Sequence, residues 1–459
     1  MVERAMVWGP TYNEMLDPSS LPATLRQEAL RAAQSDPLSP LNLYNITWRD
    51  ERGRVRVIRL PQELTGVEAN ILVLIGKYYP SGSHKVGPAY ATLMEAEVDG
   101  EIAPGEVTIV GPSTGNFGIG TAYIARLKGY KALVVMPDDM SDERYERIRQ
   151  YGAELDLTPG TESDVILTLE RTHQHYLPHP GYKVLGQFEL LPNYRFHRYV
   201  TGRSALEAAA GFGDGRIAAF VSAPGSAGTI AAADEIKAHF PDCAVVALEP
   251  EECSTLYNNG RGSHRIEGIG DKMVPLIHNV LTTDYVMLIH DDDCLKGLCA
   301  IQAGPEVLSR ILGVPEAAAY SLIDLFGISS ICNILGAIKT AKHLRIPAGR
   351  NVVTIATDGF DRYPSVMADL DRRVGGISQA LLRLWASQVF RGVHTRGILD
   401  VRPEAQKQRL FAMKEEVWSR FGYDQKYLEA MKSPAFWEEE YAKIADYDRR
   451  LRQQRGPLE

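Results

Sequence analysis

Short apolar runs recur through the middle of the chain, each followed by a glycine-bearing polar stretch and then by apolar residues at helical spacing. The run 71–75 reads as a buried strand, 79–83 as a loop, and Val86, Ala89, Tyr90, Leu93 and Met94 as the apolar side of a helix. The run 107–110 leads through residues 111–118 into a helix carrying Ile119, Ala122 and Ile124. The run 132–136 leads to Pro137 and another helix, and 218–222 leads through 224–229 into Ile230, Ala233 and Ile236. Strands alternating with helices predict an α/β fold with parallel sheet covered on both faces, and a binding crevice beyond the carboxyl ends of the strands. Residues 1–45 are helix-prone and interrupted by proline, which predicts an arm; beyond about Gly376 the pattern becomes helical and charge-dense. In that tail Leu382, Leu384, Trp385, Phe390, Phe411, Trp418, Phe421 and Trp437 predict docking, on the chain's own body or on a second subunit.

A chain of 459 residues, 45% hydrophobic and 24% charged, is long enough for two lobes with appendages. Its net charge of -8 speaks against nucleic acid or an anionic membrane surface as the main partner. No run reaches the length of a membrane span, and the polar segment from Met1 lacks the apolar centre of a signal peptide, so the cytoplasm is the expected location. Five cysteines, Cys243, Cys253, Cys294, Cys299 and Cys332, an odd number without a C-x-x-C pair, argue against a disulfide framework or a structural zinc site.

Three loops carry candidate chemistry. Lys85 sits near a helix start, where the helix dipole and burial disfavour its ammonium form and favour a nucleophilic amine; alone, it reads as a solvated cap. The loop Gly111-Pro112-Ser113-Thr114-Gly115-Asn116-Phe117-Gly118 offers amides and hydroxyls for a carboxylate and an Asn116 amide for a phenolic oxygen, or is an ordinary capped turn. In Pro224-Gly225-Ser226-Ala227-Gly228-Thr229, successive amides with Ser226 and Thr229 suit a phosphate dianion; a plain strand-to-helix turn is the other reading. No Walker lysine and no strand-linked Gly-x-Gly-x-x-Gly occurs, so a monophosphate such as that of pyridoxal phosphate fits better than a nucleotide.

Together these loops resemble the fold-type II pyridoxal-phosphate enzymes, most closely the cysteine synthase and cystathionine β-synthase family. The order matches as well: 81–85 resembles the family's lysine motif, 113–118 its substrate loop and 225–229 its phosphate cup. Residues 136–144, 151–155, 264–270 and 327–330 are similar to further family segments, over roughly 70–365. The resemblance implies a two-lobed enzyme with a larger cofactor-binding lobe from 46–100 with 205–375 and a smaller substrate-loop lobe at 101–204; the arm at 1–45 and the helical extension at 376–459 lie outside it. It implies that Lys85 holds pyridoxal 5'-phosphate as a Schiff base and then acts as general base, that Asn116 steers the ring, and that Gly225, Ser226, Ala227, Gly228 and Thr229 cup the phosphate. Ser113, Thr114 and Gly115, with Gln187, would bind the substrate carboxylate.

The chain departs from the family at Thr357-Asp358-Gly359, where Thr357 is expected to face the pyridine nitrogen and Asp358 is the alternative. It departs again at His84 and at Val86-Gly87; the His-Lys pair resembles tryptophan synthase β chains, and His84 would touch the phosphate or cap the helix. The implied reaction is β-replacement on a serine-type amino acid through an aminoacrylate, with a small nucleophile such as a thiol, in a homodimer. Elimination to a keto acid and ammonia, and a non-catalytic cofactor-binding subunit, are the alternatives. No metal site is expected: His173, His175 and His179 read as a surface cluster in a loop without supporting carboxylates, and Asp291-Asp292-Asp293 as a solvated turn. Lys272 is placed in solvent or near the cleft.

Overall fold

The computed structural model describes residues 6–458, so Met1 and the start of the arm lie outside the described residues. Eleven strands follow in chain order: β1 (Val57–Arg59), β2 (Asn70–Ile75), β3 (Thr108–Pro112), β4 (Lys131–Pro137), β5 (Glu154–Thr158), β6 (Tyr182–Val184), β7 (Ile217–Ser222), β8 (Ala244–Pro250), β9 (Tyr285–Ile289), β10 (Asn351–Ala356) and β11 (Ile398–Asp400). They form two sheets, β1-β2-β10-β7-β8-β9-β11 and β5-β4-β3-β6. The smaller sheet is parallel throughout, and in the larger only the edge strands β1 and β11 run antiparallel to their neighbours.

β2 shows how an unbroken apolar run becomes a strand. Leu72 and Leu74 join one core with Phe220, Val353 and Ile355, while Ile71, Val73 and Ile75 join the other with Leu248 and Ile331. Each large apolar side chain buried this way contributes about 1.5–3 kcal/mol, so a strand covered on both faces is apolar along its length from Ile71 to Ile75. Helix Ile328–Leu344 covers β10 and β7; helices Asn116–Lys128 and Val165–His175 cover β3 and β4. Helix Val86–Val98 is buried along its whole length and packs on helices Asn116–Lys128 and Pro192–Phe196.

The tail docks on the chain's own body. Trp418 Nε1 donates to the Val274 carbonyl at 2.8 Å, Lys414 Nζ to those of Leu276 and His278 at 2.9 and 2.6 Å, and Arg455 pairs with Glu14 at 2.8 Å. It is not wholly helical, contrary to the expectation: Ile398–Asp400 closes the exposed edge of β9 as β11, with Leu399 opposite Val286. All five cysteines are free and buried. Among the described residues no helix is long and apolar enough to cross a membrane.

Candidate active site

Lys85 follows β2, Ser113 follows β3, Gly225 follows β7 and Thr357 follows β10, so four strand ends bring their loops to one place. Lys85, Ser113, Thr114, Asn116, Gln187, Gly225, Ser226 and Thr357 line a single cavity, as a crevice at carboxyl ends requires. His84, Gly115, Ala227, Gly228 and Thr229 adjoin that wall without lining it.

Lys85 is the residue before helix Val86–Val98, is 8% exposed, and directs Nζ to Ser226 Oγ at 3.3 Å. Burial draws its pKa down to about 8 against the opposing pull of Asp271 and Glu162, which brings the neutral amine within reach of neutral pH. His84 does not cap the helix. Its Nε2 meets Thr229 Oγ1 at 3.1 Å and its Nδ1 faces the Thr357 carbonyl at 3.4 Å. Burial, then the charge of Lys85, pushes the imidazole down to about 3, so it is neutral; the carbonyl at Nδ1 assigns the proton there and leaves Nε2 to accept from the Thr229 hydroxyl.

The loop after β7 has the conformation of an anion nest. Ala227 has φ +62° and Gly228 φ -61°, a change of hand that turns successive amides to one side. Among the described residues the amides of Gly225, Ser226, Ala227 and Gly228 have no acceptor in the protein. Asn193 braces them, its Nδ2 donating to Ser226 Oγ at 3.0 Å and to the Gln187 carbonyl at 2.8 Å. The approach is so close that a Cβ on Gly228 would stand 2.0 Å from Asn193 Oδ1. Free amides beside two hydroxyls and a buried lysine amine are a donor set that fits a phosphorylated aldehyde.

In the loop after β3, Ser113 Oγ accepts the amides of Gly115 and Gly118 at 2.9 and 2.8 Å, and the Thr114 hydroxyl donates to Glu162. Gln187, which lines the same cavity, donates its Nε2 to the Pro112 carbonyl at 3.3 Å. Asp358 points away from the cavity; its Oδ2 accepts from Asn116 Nδ2 at 2.6 Å and Tyr363 Oη at 2.8 Å, and burial raises its pKa.

Sequence reasoning passed over Glu162, Arg144, Asn193 and Asp271. Arg144 was visible inside the 136–144 segment; its buried guanidinium holds Glu267 at 2.9 Å and the Thr114 carbonyl at 2.9 Å. Asp271 directly follows Gly270, yet nothing in local periodicity places a side chain in a cavity formed by four distant loops. Two other expectations need correction. His173 and His175 lie in helix Val165–His175, because Val165, Thr168, Leu169 and Thr172 form its buried side, and His173 does have a carboxylate, Glu189, at 3.1 Å. Asp291–Asp293 open helix Asp291–Ala303, where three acids suit the positive end of the dipole, and Asp291 is buried against Arg265 at 2.6 Å. Lys272 pairs with Asp164 at 2.7 Å.

The family described as "Pyridoxal-phosphate dependent enzyme" matches residues 49–358, which contain every loop of this cavity. The chain belongs to that family. It is therefore an enzyme whose cofactor is pyridoxal phosphate. It is 33% identical over 317 residues to a cysteine synthase of Staphylococcus aureus, covering 68% of this chain and 93% of that one. A probable cysteine synthase of Bacillus subtilis is 33% identical over 312 residues, 68% and 92% of the two chains. Among solved structures, a cysteine synthase from Entamoeba histolytica has TM-score 0.60 and 26% identity, covering 74% of this chain and 93% of that one. An O-acetylserine dependent cystathionine beta-synthase from Helicobacter pylori has TM-score 0.58 and 26% identity, with 68% and 95% covered. Those structures share the α/β fold of this chain.

Proposed function

We propose that this enzyme catalyses β-replacement on a serine-type amino acid, exchanging a leaving group on Cβ for a small nucleophile. The observation that carries the reading is the meeting of Lys85 Nζ and Ser226 Oγ at 3.3 Å in a cavity that also holds the Ser113–Asn116 loop. The likeness to cysteine synthases supports it. When bound, pyridoxal phosphate supplies an electron sink for negative charge developing at the substrate's Cα. The chain's own residues do the rest. The amides of Gly225 to Gly228, with Ser226 and Thr229, hold the phosphate, and His84 positions the Thr229 hydroxyl. Backbone donors around Thr114 and Gly115, with Ser113 and Gln187, hold the substrate carboxylate, and Asn116 orients the ring. Thr357 rather than Asp358 meets the ring nitrogen, since Thr357 lines the cavity and Asp358 is engaged with Asn116 and Tyr363. Lys85, as the neutral amine, takes the Cα proton while the leaving group departs with its bonding pair.

The same reading expects the lobes 46–100 with 205–375 and 101–204 to close on the substrate, and a homodimer, which sedimentation would show. The test is to incubate the holoenzyme with O-acetyl-L-serine and sulfide. Cysteine as the product is the expected result; a keto acid and ammonia in its place would make the enzyme a lyase, and no product with any serine derivative would leave a non-catalytic binder.

A further inference from the structure

A second ionisable group shares the cavity with Lys85. Asp271 is 5% exposed and lines the same wall, and its Oδ1 has no hydrogen-bond partner among the described residues. A buried polar atom left unpaired is costly to stability, so its presence at the reacting amine calls for a cause. The turn that carries it is tightly built. Gly268 and Gly270 have φ +97° and +81°, a left-handed backbone suited to glycine. Gly270 N donates to the Pro224 carbonyl at 3.2 Å, at the base of the phosphate cup, and Thr255 Oγ1 donates to the Asp271 carbonyl at 2.7 Å. The neighbouring cation is turned aside, Lys272 being paired with Asp164 at 2.7 Å.

Lys85 and Glu162 line the cavity with it, and Cys253 lies close by. Burial raises the Glu162 pKa well above the ordinary carboxyl range, against the pull of Arg144. Burial raises Asp271 to about 7, against the pull of Lys85.

We propose that Asp271 is the proton acceptor for a nucleophile that reaches the cavity still protonated, a thiol or an amine and not an anion. The inference rests on the β-replacement reading. In the first half of the reaction Lys85 takes the Cα proton and the leaving group departs from Cβ with the bonding pair. In the second half the nucleophile's heavy atom bonds to Cβ, its proton passes to Asp271, and Lys85 returns its proton to Cα. Asp271 then releases its proton to the departed group or to water, so one H–nucleophile enters and one H–leaving group is formed. A carboxylate at this place also repels an anionic nucleophile, which favours the protonated one.

The test compares the parent holoenzyme with Asp271→Asn, using O-acetyl-L-serine and two nucleophiles. One is 2-mercaptoethanol, a thiol mostly protonated at neutral pH; the other is azide, an anion with no proton to lose. The variant is expected to lose about 10²–10⁴-fold in rate with the thiol and to keep or gain rate with azide, which needs no base and is no longer repelled. Equal losses with both, or no loss with the thiol, overturn the proposal while leaving β-replacement intact. A parent enzyme that makes cysteine from sulfide but uses neither of these nucleophiles overturns the proposal alone; one that also fails with sulfide ends the β-replacement reading with it. A readout independent of turnover is the pH at which Lys85 becomes reactive in the cofactor-free protein, followed by reductive methylation and peptide mass. It should fall in Asp271→Asn, since the carboxylate no longer supports the ammonium; an unmoved titration overturns the proposal.

Discussion

Asn116 and Asp358, 242 residues apart, are joined by a 2.6 Å bond from amide Nδ2 to carboxylate Oδ2. This bond ties the loop after β3 to the loop after β10 and fixes which residue of the Thr357-Asp358 pair looks into the cavity. Tyr363 Oη shares the same carboxylate oxygen, and Arg144 Nη2 backs Tyr363 Oη at 3.1 Å.

Asp358→Ala is therefore expected to act on stability, lowering it by about 1–3 kcal/mol as the buried Asn116 and Tyr363 donors lose their acceptor. The visible band of the bound cofactor should stay in place. Thr357→Val should do the reverse, altering the band or the replacement rate with little change in Tm. Absorption spectra and thermal melts of the two variants decide; the opposite pattern would put the carboxylate at the ring nitrogen.

Gly228→Ala should weaken cofactor binding, because its Cβ would meet Asn193 Oδ1 at 2.0 Å. The loss is expected to reach about 1–3 kcal/mol, the scale of a disturbed hydrogen-bonded site. Equilibrium dialysis of the cofactor against parent and variant measures it, and equal affinity would mean the nest does not hold the phosphate.

Lys414 is buried with the Leu276 and His278 carbonyls as its only acceptors among the described residues, and burial lowers its pKa from 10.5 to about 7. Between those two values the unfolded chain keeps a proton that the folded chain has released, so this group's contribution to stability rises with pH; below pH 7 both states hold the proton and the contribution is flat. The slope is up to about 1.4 kcal/mol per pH unit. Denaturant midpoints of parent and Lys414→Met from pH 6 to 9 should diverge in the parent's favour as pH rises. A constant difference would show that the two carbonyls hold the ammonium at its ordinary value.

Trp418 is fully buried and its Nε1 holds the Val274 carbonyl, just beyond Asp271. Trp418→Ala should cost about 3–5 kcal/mol in urea unfolding. A change below 1 kcal/mol would mean that the tail is not part of the folding unit.

The strands were legible because burial on both faces leaves apolar runs such as 71–75 and 132–136 that nothing else explains. The loops were legible because glycines and hydroxyls at strand ends mark close backbone approach. What escaped was whatever depends on distant packing. The strand Ile398–Asp400 exists because β9 offers an open edge, and His173 is helical because its neighbours face a core. Asp271 and Glu162 were unremarkable acids until folding placed them beside Lys85. Asp358 was left as an alternative to Thr357, and the bonds from Asn116 and Tyr363, both distant contacts, separate their directions.

The most direct test of the central claim is to reduce the holoenzyme with borohydride, digest it, and locate the cofactor by peptide mass. The expected result is a single adduct on Lys85, absent from Lys85→Ala; an adduct on another lysine, or the same adduct yield in that variant, would contradict it.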